Sequence, residues 1–134
     1  MLKVGIKGEA STRVVQQNTA ASYSSGALPV FATPAMIGLM EEAAHDSLLP
    51  YLEAGTGTVG LTVDIRHLSV SPVGSTIRAQ SELVAIDGRK LSFTVQAFDD
   101  AGLIGEGKHD RFIIDVERFM KKAQGKLGES VPQA

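Results

Sequence analysis

The sequence predicts an α+β fold: an antiparallel sheet curled around one long central helix. Three observations carry this expectation. A single amphipathic segment opens at Thr33-Pro34 and is stopped by Pro50. Four later segments alternate apolar and polar residues and are joined largely by tight turns. The helical and strand signals stay apart along the chain, which favours antiparallel pairing over alternating βαβ units.

Taken in order, Val4 to about Gln16 mixes apolar and polar positions and is the least periodic of the strand segments. Gln17 to Leu28 is rich in Ser, Ala, Asn and Gly, holds no sustained period, and reads as a loop that leads through Pro29 to the helix. In the helix, Thr33 has the hydroxyl of a good N-cap, and Pro34 follows where a missing N–H costs nothing. At about 100° per residue, Leu39, Ala43, Met36, Met40, Ala44, Ile37 and Leu48 share one arc, which needs a sheet to cover it. Glu42 and His45 fall on the polar side and read as solvated. Glu41 projects beside Ile37 and Leu48 at one edge of the apolar stripe, with Asp46 at the other edge. An edge carboxylate of this kind either snorkels to water or is partly desolvated for chemistry.

Pro50 ends the helix and Glu53 to Gly57 forms a turn. Val59 to Ser69 alternates, with Leu61, Val63, Ile65 and His67 on one face. Ser71-Pro72-Val73-Gly74 breaks the chain before a strand from Thr76 to Ile86. Asp87-Gly88 then signals a hairpin into Leu91 to Phe98. Asp99 to Gly102 turns into Leu103 to Val116, Glu117 to about Gln124 adds a short helix, and the remainder is polar. The expected organisation is one domain, residues 1–124, followed by a polar tail, 125–134. With the apolar stripe of the helix wrapped by the sheet, this is the hot-dog arrangement.

Composition narrows the function. The net charge is −2 and no basic run exceeds two residues, as in Lys121-Lys122, so neither a nucleic-acid footprint nor a polybasic membrane patch is expected. With no cysteine there are no disulfides, thiolate metal sites or cysteine nucleophiles, and a reducing compartment is consistent. Met1-Leu2-Lys3-Val4-Gly5 lacks an apolar signal core, and no run of about 18 apolar residues occurs, so a cytoplasmic protein that does not span a membrane is expected. No trio of His and carboxylates has metal-ligand spacing, and no metal is expected. His109, between Lys108 and Asp110, reads as solvated.

The segments Val30 to Ala44, Val59 to His67, Asp87 to Ser92 and Gly105 to Phe119 together resemble the fluoroacetyl-CoA thioesterase family of hot-dog proteins, over about Pro29 to Lys122. The resemblance implies a catalytic set of Thr33, Glu41 and His67. It also implies that Gly60 lies at a backbone amide near the thioester carbonyl and that Arg111 is a supporting polar residue. Sites at the interface of a homodimer, and no cofactor beyond the coenzyme A of the substrate, are further implications. The lid phenylalanines of the fluoroacetyl-specific enzyme have no counterpart in Ser22 to Leu28, which offers only Tyr23. A short or medium acyl-CoA is therefore the expected substrate.

Thioester hydrolysis needs a nucleophile or an activated water, donors for the developing oxyanion, and an acid for the departing thiolate. Glu41, attacking directly or activating water, and His67, as its proton-transfer partner, are the residue types for the first and last of these. Each residue also has a plainer role: Thr33 as N-cap, His67 as a hydrogen-bonded core histidine, Gly60 as a relief of crowding, Arg111 as an ion-pair partner of Asp110 or Asp64. Eight helical residues span about 12 Å, so Thr33 and Glu41 of one helix reach the same acyl carbon only if its first turn is irregular; otherwise two chains contribute. An enoyl-CoA hydratase or dehydratase on the same scaffold, and a non-catalytic acyl-CoA binding module, are the competing functions.

Overall fold

Leu91, Phe93, Val95 and Ala97 alternate with polar neighbours along one strand and are all buried, and the rest of the molecule is arranged around them. The computed structural model describes residues 1–128. Its sheet consists of β1 (Lys7–Arg13), β2 (Thr56–His67), β3 (Thr76–Asp87), β4 (Lys90–Asp99) and β5 (Gly102–Asp115). The strand order is β1-β3-β4-β5-β2, with every neighbouring pair antiparallel. Between β1 and β2 the chain forms a one-turn helix α1 (Ala20–Tyr23) and the long helix α2 (Thr33–Leu48); α3 (Val116–Gly125) follows β5. β1 and β2 thus lie at opposite edges of the sheet, with α2 crossing between them.

The expected fold is the observed one. Met36, Leu39, Met40, Ala43, Ala44 and Leu48 of α2 are buried against Ile77, Ala79, Leu83, Leu91, Phe93 and Val95 of the sheet. Removing each large aliphatic or aromatic side chain from water contributes about 1.5–3 kcal/mol, which is what holds a helix on this face. Small residues on the stripe, Ala43 and Ala44, let β1 and its Gly8 approach the helix backbone. At the β3–β4 hairpin Gly88 takes φ 62°, the left-handed conformation that a tight two-residue connection demands.

Several boundaries differ from expectation. β1 is only seven residues long: it starts after a turn at Val4-Gly5, where Gly5 takes φ 103°, and ends at Arg13, beyond which the Val14 N–H still donates to the Ser75 carbonyl and the Val14 side chain is buried. The segment expected as a loop holds a 3-10 turn at Gln16–Asn18 and α1, capped by the Thr19 hydroxyl on the Ser22 amide. Asn18, which bonds the Val15 amide and the Arg13 carbonyl, orders it further. β2 begins at Thr56, three residues early, because Thr56 already pairs with Asp115. The last helix extends to Gly125, and the end of the expected polar tail, 129–134, lies outside the described residues.

Candidate active site

The first cluster forms where α2 begins. Ala32 is extended (φ −76°, ψ 141°) and is the N-cap, with Thr33 and Pro34 as the first two helical residues. This corrects the expectation that Thr33 caps the helix: its hydroxyl turns away from the helix amides. Thr33 Oγ1 instead lies 2.7 Å from His67 Nδ1. His67 is the last residue of β2, half-buried, and its Nε2 is sealed from solvent without a hydrogen-bond partner. Burial pulls the His67 pKa below its ordinary value of 6.5, against a weaker opposing effect of the Ser69 backbone. The imidazole is therefore neutral at neutral pH and able to accept a proton.

A bulge determines which residues of β2 face the helix. Gly60 pairs with Arg111 but Thr62 pairs with Asp110, so Leu61 is the extra residue. Before it the even positions Thr58 and Gly60 face inward, and after it the odd positions Val63, Ile65 and His67 do. Without that insertion Gly60 and His67 would lie on opposite faces of the sheet, because side chains alternate with period two. The unbroken row expected from Leu61 to His67 is thus interrupted at its first member. Leu61 is 52% exposed and Val63 38% exposed, because β2 is an edge strand with nothing beyond it.

The second cluster gathers eight residues further along α2. Arg111 of β5 is buried: its Nε donates to Thr58 Oγ1 at 2.9 Å and its Nη2 to the Thr58 carbonyl at 3.0 Å. Its Nη1 lies 3.2 Å from His109 Nε2 and 3.6 Å from Glu41 Oε2. Burial lowers the Arg111 pKa and the Glu41 charge opposes that shift. A surface ion pair of Arg111 with Asp110 or Asp64 is not what forms. Asp110 lies on the outer face, accepts from Thr62 Oγ1 at 2.9 Å and sits 3.8 Å from Lys90 Nζ. Glu41 is at the edge of the helix stripe with its side chain 39% exposed, while Glu42 is solvent-exposed. A Cβ built on Gly60 would stand 2.6 Å from Glu41 Oε2, so the glycine makes room for the carboxylate.

His109 is the clearest correction. It was expected to be solvated because of its charged neighbours, yet it is 1% exposed, stacked on Phe93 with ring centroids 6.2 Å apart. Lys108 and Asp110 face outward by strand alternation while His109 and Arg111 face the helix. The parity shared by Gly105, Gly107, His109 and Arg111 was the available signal. Thr58, which fixes the guanidinium, had none. His45 is solvated as expected and pairs with Asp46 at 2.9 Å. Among the described residues no group of three or more His, Asp or Glu could hold a metal ion.

The two clusters, Thr33 with His67 and Glu41 with Gly60 and Arg111, therefore mark two ends of one helix–strand contact, separated along α2 by about 12 Å. They pair a hydroxyl with a neutral imidazole, and a carboxylate with a buried guanidinium. These are the groups with which hydrolases handle an acyl carbon and its leaving group.

A helix wrapped by an antiparallel sheet of this order defines a hot-dog protein. The likeness to the hot-dog-like protein of Thermanaerovibrio acidaminovorans shows the same fold, at TM-score 0.86 and 19% identity, covering 95% of this chain and 94% of that one. Within that class the chain belongs to the fluoroacetyl-CoA-specific thioesterase family, whose sequence model matches residues 14–117. It is 41% identical over 97 residues to the fluoroacetyl-CoA thioesterase of Streptantibioticus cattleyicolor, covering 72% of this chain and 70% of that protein. A threonine-to-serine variant of the fluoroacetyl-CoA thioesterase, solved with acetyl-CoA, superposes at TM-score 0.88 with 33% identity, covering 93% of this chain and 98% of that one. A thioesterase superfamily member from Thermus thermophilus superposes at TM-score 0.85 with 26% identity, covering 95% and 96%.

Proposed function

We propose that this protein hydrolyses short or medium acyl-CoA thioesters to the free acid and coenzyme A, using Thr33, Glu41 and His67. That it is a thioester hydrolase follows from its family. The observation that carries the residue roles is the 2.7 Å contact of Thr33 with a neutral His67, together with a carboxylate facing Arg111. Glu41, 39% exposed, has room for a water, and in this reading it takes a proton from that water as the oxygen attacks the thioester carbon. In this reading the Gly60 backbone N–H donates to the oxyanion. Glu41 hands that proton to the neutral His67–Thr33 pair, and the pair protonates the departing thiolate, leaving free acid, coenzyme A and the residues in their starting states. His67 is a base beside Thr33, which gives the threonine hydroxyl a place in proton transfer as well as in orienting the ring. Coenzyme A enters and leaves as part of the substrate, and the reaction calls for no separate cofactor.

The fluoroacetyl-CoA of the relatives is not the preferred substrate in this reading, because Ser22 to Leu28 has a single aromatic residue, half-exposed Tyr23. Among the described residues no helix is long and apolar enough to cross a membrane. A cytoplasmic location is part of this proposal, supported by the cysteine-free composition. We further infer a homodimer that pairs along β2, a 12-residue edge strand with Leu61 and Val63 exposed. Antiparallel pairing about a two-fold axis brings the His67 end of one strand to the Thr56 end of its partner, the end nearer Gly60 and Glu41. Each site then combines Thr33 and His67 of one protomer with Glu41 and Arg111 of the other.

Measuring free thiol release from a panel of acyl-CoAs, with Glu41→Gln and His67→Ala as controls, tests the activity; hydrolysis undiminished by either substitution would refute the site. Consumption of an enoyl-CoA without thiol release would mark a hydratase instead, and binding without turnover an acyl-CoA binding module. Mixing Glu41→Gln with Thr33→Val protomers tests the shared site: it should restore one intact site per heterodimer, whereas no recovery would rule out sharing.

A further inference from the structure

We propose that His109 is a positioning residue for this reaction, holding Arg111 at the angle from which its guanidinium addresses Glu41. The inference rests on the functional reading above but is carried by a separate set of contacts. His109 Nδ1 lies 2.8 Å from the Thr62 carbonyl, which only accepts, so Nδ1 carries the hydrogen. Nε2 is then a bare acceptor, and it faces Nη1 of Arg111, which only donates, at 3.2 Å. One neutral tautomer satisfies both partners, and burial at 1% exposure leaves the ring no alternative partner in water.

The guanidinium is fixed at two corners by Thr58, through Nε at 2.9 Å and Nη2 at 3.0 Å. Its third corner, Nη1, is the one that points at Glu41. At 3.6 Å the carboxylate is too far to hold it by a hydrogen bond, whereas His109 is within reach. His109 also anchors the strand just after the bulge, since Thr62 follows Leu61, and its Cε1 would stand 3.5 Å from a Cβ on Gly60. One ring therefore ties together the bulge, the space above Gly60 and the charge that faces Glu41. It touches none of the reacting atoms assigned above and acts through Arg111.

The test compares His109→Leu, His109→Gln and His109→Asn, each also made with Arg111→Ala. A glutamine amide reaches the position of Nε2 and can accept from Arg111, while an asparagine amide stops near Nδ1. His109→Leu should lower kcat about 10- to 100-fold, as misplacement of a positioned group by about 1 Å does. Its KM should stay within about twofold of the parent. Gln should recover most of kcat and Asn should not. With Arg111 already removed, His109→Leu should cost nothing further. Full activity in His109→Leu, the same loss with and without Arg111, or Asn equal to Gln would each overturn the proposal. Should the Leu variant fail to fold, the Gln and Asn pair decides alone. The NMR signal of the Arg111 Nη1–H protons, the ones that face His109, reports on the contact without any turnover. It should be sharp and protected in the parent and in His109→Gln, and lost in His109→Asn. If the parent releases no thiol from any acyl-CoA, the functional reading fails, and an unchanged Nη1–H signal in the Asn variant then overturns the positioning role as well.

Discussion

The two polar clusters along α2 are held in opposite ways. Thr33 and His67 meet through a single hydrogen bond between the first residue of a helix and the last residue of a strand. Arg111, by contrast, sits within the β2–β5 ladder and is held by Thr58 and His109, with Glu41 opposite its Nη1 corner. Element ends have fewer neighbours and open at lower free-energy cost than the centre of a sheet. In the proposed reaction the looser end relays a proton, while the sheet holds the fixed charge of Arg111 that faces Glu41.

That comparison can be broken from either side. The largest effect is expected for Glu41→Gln, which keeps the shape but removes the charge facing Arg111: kcat should fall about 1000-fold in a thiol-release assay, within the range of a lost general base. A variant keeping a tenth of the activity would take Glu41 out of the chemistry. At the other cluster, His67→Ala should cost about 100-fold, and Thr33→Val less, because the imidazole remains when the hydroxyl goes. Equal losses would mean that the two residues act as one unit. Gly60→Ala should lower kcat about tenfold with a nearly unchanged unfolding midpoint, since the new methyl crowds only the far end of the Glu41 side chain, at 2.6 Å, and meets His109 and Arg111 at ordinary contact distances of 3.5 and 3.8 Å. A large drop in stability there would show that the strand itself, and not the carboxylate, is crowded.

The smallest effect is one of pH. With the pKa of His67 lowered by burial, its neutral, proton-accepting form persists below the ordinary 6.5, and it is lost only as pH falls through the lowered value. The acidic limb of the kcat/KM profile should accordingly have its midpoint below pH 6.5, measured with a substrate that does not titrate in that range. A midpoint at or above 6.5 would assign the limb to another group.

Much of this was legible along the chain. Helix period and Pro50 located α2 within a residue or so, and Asp87-Gly88 located the β3–β4 turn. The wheel put Glu41 at the edge of the stripe, where it is found. These are local signals, set by the geometry of 3.6- and 2-residue repeats and by the few residues that fit a tight turn. The Thr33 cap failed because a capping hydroxyl and one bonded to a distant histidine look the same in sequence. The solvated His109 failed because its neighbours in sequence point to the other face of the strand.

By itself, then, the sequence determined the long helix and the four strands that follow it, which face of that helix is apolar, and which residue types are available for acid–base work. Tertiary structure decided the rest. The sheet order left β2 at an edge with Leu61 and Val63 uncovered. The bulge at Leu61 brought Gly60 and His67 to one face. Cross-strand register set His109 and Thr58 around Arg111. The physical reason is that register and bulges depend on which strand lies alongside, and a one-residue slip reverses every side chain, so no periodicity within a single segment can fix them.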